Sequence, residues 1–381
     1  MDFSISDAQK MAVRAAADFA AKEMKPRAAQ WEENGAYDPG CFRKAASLGL
    51  AGMLVPKEDG GTGLDYLTTA MIFEELSKGC MATTFSWVVH NNFVRFVYTS
   101  GTKEGKKRWL KPAMAGNILG AFALTEPDAG SDAGSIRTTA VKDGGSYVIT
   151  GVKNFVTNGG IADCYNVICR TDPEKGHAGM SAIVVEKDTP GLTFGPRDKK
   201  MGANAMPTCQ VFLDRCRVPA ENLLGPEGSA FKSSMVGIDT ARMFVGGMCA
   251  GIAQAALDEA VRYAKERAQF KKRLAEFQGL RFMMADMAAE IEAVRLVVYK
   301  AAWMIDQNLP ATTEAAYAKK LGADMAMSVT TKAVQMFGAY GYLCSYPVER
   351  YMRWAKMCAF IDGTTQIQQV VIARSLFGLT F

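Results

Sequence analysis

Histidine is nearly missing from this 381-residue chain: only His90 and His177 occur. Two isolated histidines argue against a Ser-His-Asp hydrolase and exclude a multi-histidine metal site, so no metal is expected. No C-x-x-C pair appears, and the nine cysteines (Cys41, Cys80, Cys164, Cys169, Cys209, Cys216, Cys249, Cys344 and Cys358) are odd in number. That pattern points to reduced, mostly buried thiols rather than a disulfide scaffold or a zinc site. No G-x-G-x-x-G follows a strand pattern, and no glycine loop ends in Lys-Ser/Thr. A Rossmann-type nicotinamide enzyme and a P-loop ATPase are therefore disfavoured. Long apolar runs are also lacking. The most apolar stretch, Met243 to Leu257, is short of a bilayer span and contains Gln254. Its Gly246, Gly247 and Gly251 suit close helix–helix contact. Neither a secretory nor an Arg-rich, acid-poor leader opens the chain, so a bacterial cytoplasm is the expected compartment.

What is present is an ordinary globular composition, 49% hydrophobic and 22% charged, long enough for two or three domains. The net charge of +5 is mild. The densest basic patch (Lys103, Lys106, Lys107, Arg108, Lys111) reads as a solvated helix face, because a nucleic-acid site would want a broader stripe.

Periodicity divides the chain into three. Residues 1–118 read as an N-terminal helical domain. Ser6 with Gln9 forms a capping-box pattern, and helices are expected over 41–48, 66–78, 84–98 and 104–114, with a glycine-rich break at 59–63. Residues 119–225 change to period two. Strands are expected at 137–142 and 146–152 around Asp143-Gly144-Gly145, then at 164–170, 181–186 and 208–213. The short connections predict an antiparallel β domain. Residues 226–381 return to long helices at 229–270, 274–307 and 312–337, a short one after Pro347, and a last one at 366–377. They predict a helical bundle. The fold class is α+β, mostly α.

Three segments put hydroxyl residues and glycines at the edges of regular elements: Phe122 to Asp132, Asn154 to Gly160, and Phe360 to Gln368. Exposed N–H groups beside Ser or Thr hydroxyls suit phosphates and planar, amide-rich rings. Each segment alone reads equally well as a capped turn. Together with Val55-Pro56-Lys57-Glu58-Asp59-Gly60-Gly61, Arg267-Ala268-Gln269-Phe270 and Tyr346-Pro347-Val348-Glu349-Arg350, in this order and at these separations, they make the chain resemble the acyl-CoA dehydrogenase flavoproteins over nearly its whole length.

The resemblance implies helical domain, β domain and four-helix bundle, with FAD held between β domain, bundle and a neighbouring subunit of a homotetramer. Phe122, Leu124 and Thr125 would line the flavin and its pyrimidine edge. Gly130 and Ser131 would lie near phosphates of FAD or CoA. Phe155 and Thr157 would cover the ring, Phe155 standing where the family often has Trp. Arg267, Gln269, Phe270, Gln335 and Gly338 would reach FAD bound mainly by another protomer; Lys271 and Ala339 stand where the family usually has glycine. Thr364 and Gln366 would hold the ADP half. Asp239, Arg242, Gly363 and Asn91 would serve the acyl-CoA substrate.

The family's common base is a Glu in a Tyr-Glu-Gly-Thr turn; here the position is Asp362, after Ile361. Some relatives carry the base just before the substrate-side Arg, where this chain has Ala241. Asp362 is thus the expected base. It is shorter than Glu by one carbon–carbon bond, roughly 1.5 Å. A bulky α-carbon would close that gap, so an α-branched or alicyclic thioester such as cyclohexane-carboxyl-CoA is the expected substrate. Short-chain acyl-CoAs, or a non-catalytic binding role, are the alternatives. Some ring-oxidising relatives use a second acidic residue on the first domain's last long helix; His90, Asn91 and Asn92 are not acidic, which favours ordinary 1,2-elimination. Electrons would pass to an electron-transfer flavoprotein. An oxidase is the competing enzyme reading, although relatives of that kind generally carry a further C-terminal domain.

Overall fold

The structure is a computed structural model and describes residues 4–379. Its first helices are α1 (Asp7–Phe19), α2 (Ala28–Asn34), α3 (Pro39–Ser47) and α4 (Tyr66–Ser100). Two short pieces, α5 (Lys103–Gly105) and α6 (Lys111–Met114), flank a π-helical turn. Ser6 caps α1 in a full capping box with Gln9, as its spacing predicts. The two helices expected at 66–78 and 84–98 are one run with a sharp break at Cys80, whose backbone (φ −155°, ψ 102°) leaves the helix for a single residue.

The middle of the chain is a sheet: β1 (Gly120–Ala123), β2 (Thr139–Asp143), β3 (Ser146–Thr157), β4 (Cys164–Arg170), β5 (Met180–Glu186), β6 (Leu192–Phe194), β7 (Thr208–Pro219) and β8 (Leu223–Leu224). The main order is β6-β7-β3-β2-β4-β5-β8, and β1 also pairs with β4. The expectation of purely antiparallel pairing is corrected. β1 lies parallel to β4, with Gly120 opposite Cys164, because the β2–β3 hairpin supplies the crossover between them. In β3 the register shifts between Lys153 and Val156, so Phe155 is thrown outward at φ 52°.

The bundle comprises α7 (Ala230–Glu266), α8 (Gln278–Asp306), α9 (Thr312–Phe337), α10 (Pro347–Met357) and α11 (Thr365–Phe377). Helix α7 stops at Glu266, short of the expected Phe270. A hairpin follows, β9 (Ala268–Gln269) against β10 (Lys272–Arg273), turning through Phe270 (φ 50°) and Lys271 (φ 63°). Helix α7 is long and apolar enough to cross a membrane, yet it is mostly buried inside the fold. Its glycines explain the packing. A Cβ on Gly246 would lie 2.8 Å from the Ala318 carbonyl oxygen, and one on Gly251 2.2 Å from that of Glu74. The two halves of α4 meet α7 at different heights. Phe73 packs edge-on against Phe244, with centroids 5.0 Å apart, whereas Asn92 and Phe96 sit against Gly237.

Candidate active site

Asp362 lies in the turn between α10 and α11, in the left-handed region at φ 50°. Asp is one of the few side chains that tolerate that conformation. Its carbonyl oxygen accepts from Arg242 Nε at 3.1 Å. Arg242 is buried, and its Nη1 donates to Asp239 Oδ1 at 2.8 Å. Asp239 Oδ2 in turn accepts from Thr312 Oγ1 at 2.7 Å. The carboxylate itself is left alone: Oδ2 is shielded from solvent with no hydrogen-bond partner among the described residues. Burial pushes its pKa up to about 6, against the pull of Arg242 and Lys319.

Beyond Asp362, Gly363 turns at φ 94°, and Gln368 Nε2 donates to its carbonyl at 2.9 Å. Thr364 caps α11 by accepting from the Ile367 N–H at 3.2 Å. Gln366, on the first turn of that helix, is exposed. Lys319 was not anticipated from sequence. It is fully buried on α9 with Nζ unpartnered among the described residues, and burial lowers its pKa. Its place in the inward stripe of α9, beside Ala315, Gly322 and Ala326, was the available signal.

Further expected residues lie on the sheet and its loops. Phe122 on β1 stacks on Phe96, with centroids 5.9 Å apart. Leu124 and Thr125 follow, and the Thr125 carbonyl accepts from the Asn154 N–H at 2.8 Å. The Thr125 N–H finds no protein acceptor among the described residues. Phe155 is 65% exposed, Thr157 is half-buried, and Gly130 and Ser131 are exposed. Arg267 is half-buried with its guanidinium over the Tyr340 ring, and Gln269, Phe270, Gln335 and Gly338 are exposed. Asn91, expected to meet substrate, is instead spent on the main chain. Its Nδ2 donates to the carbonyls of Leu50 and Trp87, both at 2.9 Å, and its Oδ1 accepts from the Met53 N–H.

An unused N–H at an edge, an exposed aromatic ring on a strained backbone and a shielded carboxylate fit a flat heterocycle with acceptors on its rim. A flavin is such a heterocycle. Models of the acyl-CoA dehydrogenase N-terminal, middle and C-terminal domains match residues 6–117, 121–216 and 228–377. The chain belongs to the acyl-CoA dehydrogenase family. It is 41% identical over 378 residues to the short-chain-specific acyl-CoA dehydrogenase of Clostridium acetobutylicum, covering 99% of this chain and 100% of that one. It is likewise 41% identical over 374 residues to the cyclohex-1-ene-1-carbonyl-CoA dehydrogenase of Syntrophus aciditrophicus, covering 98% and 90%. Among solved structures it matches a chain from work on the electron transferring flavoprotein of Acidaminococcus fermentans, with TM-score 0.96, 43% identity and 99% coverage of both chains.

Proposed function

We propose that this acyl-CoA dehydrogenase desaturates a short acyl-CoA thioester, with Asp362 as the base that takes the α-proton. The observation that carries this reading is the Asp362 carboxylate, shielded and free of hydrogen bonds at Oδ2 beside a buried arginine. Burial makes it a stronger base than a solvated carboxylate, and a pKa of about 6 leaves it ionised at neutral pH. Arg242 and Asp239 hold the turn, so the proton acceptor is aimed without being neutralised. FAD, when bound, accepts the hydride from the β-carbon. Thr125 offers its N–H to the ring edge, Phe155 and Thr157 cover the ring, and Thr364 with Gln366 receives the ADP half. Ser131, Gly130 and Gly363 serve the CoA and cofactor phosphate side.

A compact acyl group is favoured by the likeness to short-chain-specific relatives. A second reading, an α-branched or alicyclic acyl group, is favoured by the aspartate itself, which reaches roughly 1.5 Å less far than a glutamate. The exposure of Gln269, Phe270, Gln335 and Gly338, with Arg267 held at the surface hairpin by Tyr340, supports a homotetramer in which each protomer contributes to its neighbour's FAD. An electron-transfer flavoprotein is the proposed electron acceptor, and a reducing cytoplasm the proposed compartment. Anaerobic titration with butyryl-, isobutyryl- and cyclohexane-carboxyl-CoA, watching flavin bleaching, separates the readings. A flavin that no acyl-CoA bleaches would sink the catalytic assignment and leave a binding protein.

A further inference from the structure

One buried ion pair lies outside the chemistry above. Lys153 is fully buried and Glu126 nearly so, with Nζ 2.8 Å from Oε1. The Glu126 carboxylate also accepts the main-chain N–H groups of Arg137 at 2.6 Å and Thr138 at 3.0 Å. Lys153 Nζ donates a second bond, to the Leu124 carbonyl oxygen at 3.0 Å. Burial works against both charges, but Lys153 and the surrounding donors hold Glu126 below the usual carboxylate range. Well-packed apolar residues are often no less stabilising than a buried ion pair, so stability alone is a weak account of this one.

The amide supplies a better account. The Leu124 carbonyl and the Thr125 N–H belong to one planar peptide group. A cation on its oxygen draws electron density from its nitrogen and makes the N–H a stronger donor. That N–H meets no protein acceptor among the described residues. We propose that Lys153, clamped by Glu126, is a positioning residue that polarises the Leu124–Thr125 peptide, so that the Thr125 N–H binds reduced flavin more strongly than oxidised flavin. Reduction puts negative charge on the pyrimidine ring, and a strengthened donor there discriminates between the two states. The proposal rests on the reading above only in taking FAD as the ligand of this face.

The test is the reduction potential of bound FAD in the wild type, in Lys153→Met and in Lys153→Met/Glu126→Gln. Methionine keeps the length without the charge. Glutamine keeps an acceptor for the Arg137 and Thr138 N–H groups and removes the carboxylate that would otherwise stand alone. In both variants the preference for reduced over oxidised FAD should fall about tenfold, a drop of about 30 mV for a two-electron couple. A double variant that holds FAD at the wild-type potential overturns the proposal and leaves the pair a structural one. If neither variant holds FAD, infrared spectra of the wild-type holoenzyme, with FAD labelled at its pyrimidine carbonyls, decide the matter. A C=O stretch below that of FAD in water supports the proposal, and one at or above it overturns it. A wild-type protein that takes up no FAD at all fails earlier, and removes the proposed function together with this inference.

Discussion

Arg242 donates to the main-chain carbonyl of Asp362 and leaves the carboxylate free. A guanidinium bonded to the carboxylate itself would lower its pKa by about 1–3 units and weaken the base. Here the guanidinium is divided between the turn and Asp239, and burial pushes the carboxyl up to about 6.

The first expectation is a pH profile. Only ionised Asp362 can take a proton, so flavin reduction by acyl-CoA should be level above about pH 7 and decline about tenfold per unit below about 6. Stopped-flow bleaching from pH 4.5 to 8.5 reads it. A rate still level at pH 4.5 would exclude Asp362 as the base.

Asp362→Asn keeps the shape and tolerates the same left-handed backbone. Flavin reduction should fall at least about 100-fold, with CoA-ester binding intact. Stability should move the other way. Because the folded pKa is raised from 3.8 to about 6, ionisation destabilises the native state as pH rises through that window. Scanning calorimetry should therefore show the Asn variant melting higher than wild type at pH 8, with the gap closing below about pH 4.

Asp362→Glu pushes the carboxylate roughly 1.5 Å further. Rates should shift toward straight-chain thioesters relative to branched and cyclic ones, measured as the ratio of kcat/KM for butyryl- and cyclohexane-carboxyl-CoA. An equal gain on every acyl-CoA would retain the base and remove the case for a bulky α-carbon.

Arg242→Lys should lower kcat/KM by about 10-fold while FAD content stays unchanged. An ammonium lacks the planar fork that reaches the Asp362 carbonyl and Asp239 together. Unaltered kinetics would show that the turn holds without the arginine.

Phe282, Leu296 and Trp303 lie on α8, spaced fourteen and seven residues apart, and are 60%, 45% and 40% exposed. Such a stripe needs cover, and a second copy of the chain is the proposed cover. Sedimentation should report a homotetramer, and Leu296→Glu should split it with loss of FAD. A wild-type monomer that retains FAD would refute the assembly.

Elements that carry their own punctuation were legible in sequence. Helix α9 ends where Gly338 turns at φ 62°, and α10 begins with Pro347 in its first turn. Asp362 could be singled out because a carboxylate stands in a turn that resembles the family's. Pairing partners were not. The period of two marks a strand but says nothing about what lies beside it, and Gly120 meets Cys164 only after a hairpin has intervened. The Lys153–Glu126 pair was hidden for a related reason. Lys153 continues the inward alternation of Tyr147 and Ile149, but a lysine is seldom assigned to a core, and its partner Glu126 lies outside the strand. The Asn91 amide ties α4 to Leu50 and Met53, contacts between distant parts of the chain that no local pattern announces.

Phe155 and Phe270 hold left-handed backbone that bulky side chains adopt reluctantly. Such conformations persist where the surroundings enforce them. For Phe155 a bound ring would be part of those surroundings, so the flavin-free chain stands closer to unfolding than the loaded one. A ligand at a hundred times its Kd stabilises a fold by about 2.7 kcal/mol, and differences of that size change cellular abundance several-fold. Vitamin supply would then act as a dosage control on this protein through proteolysis, with transcription unchanged. A pulse-chase in riboflavin-starved cells should show its half-life shortening, and an unchanged half-life would mean that the empty chain is stable enough alone.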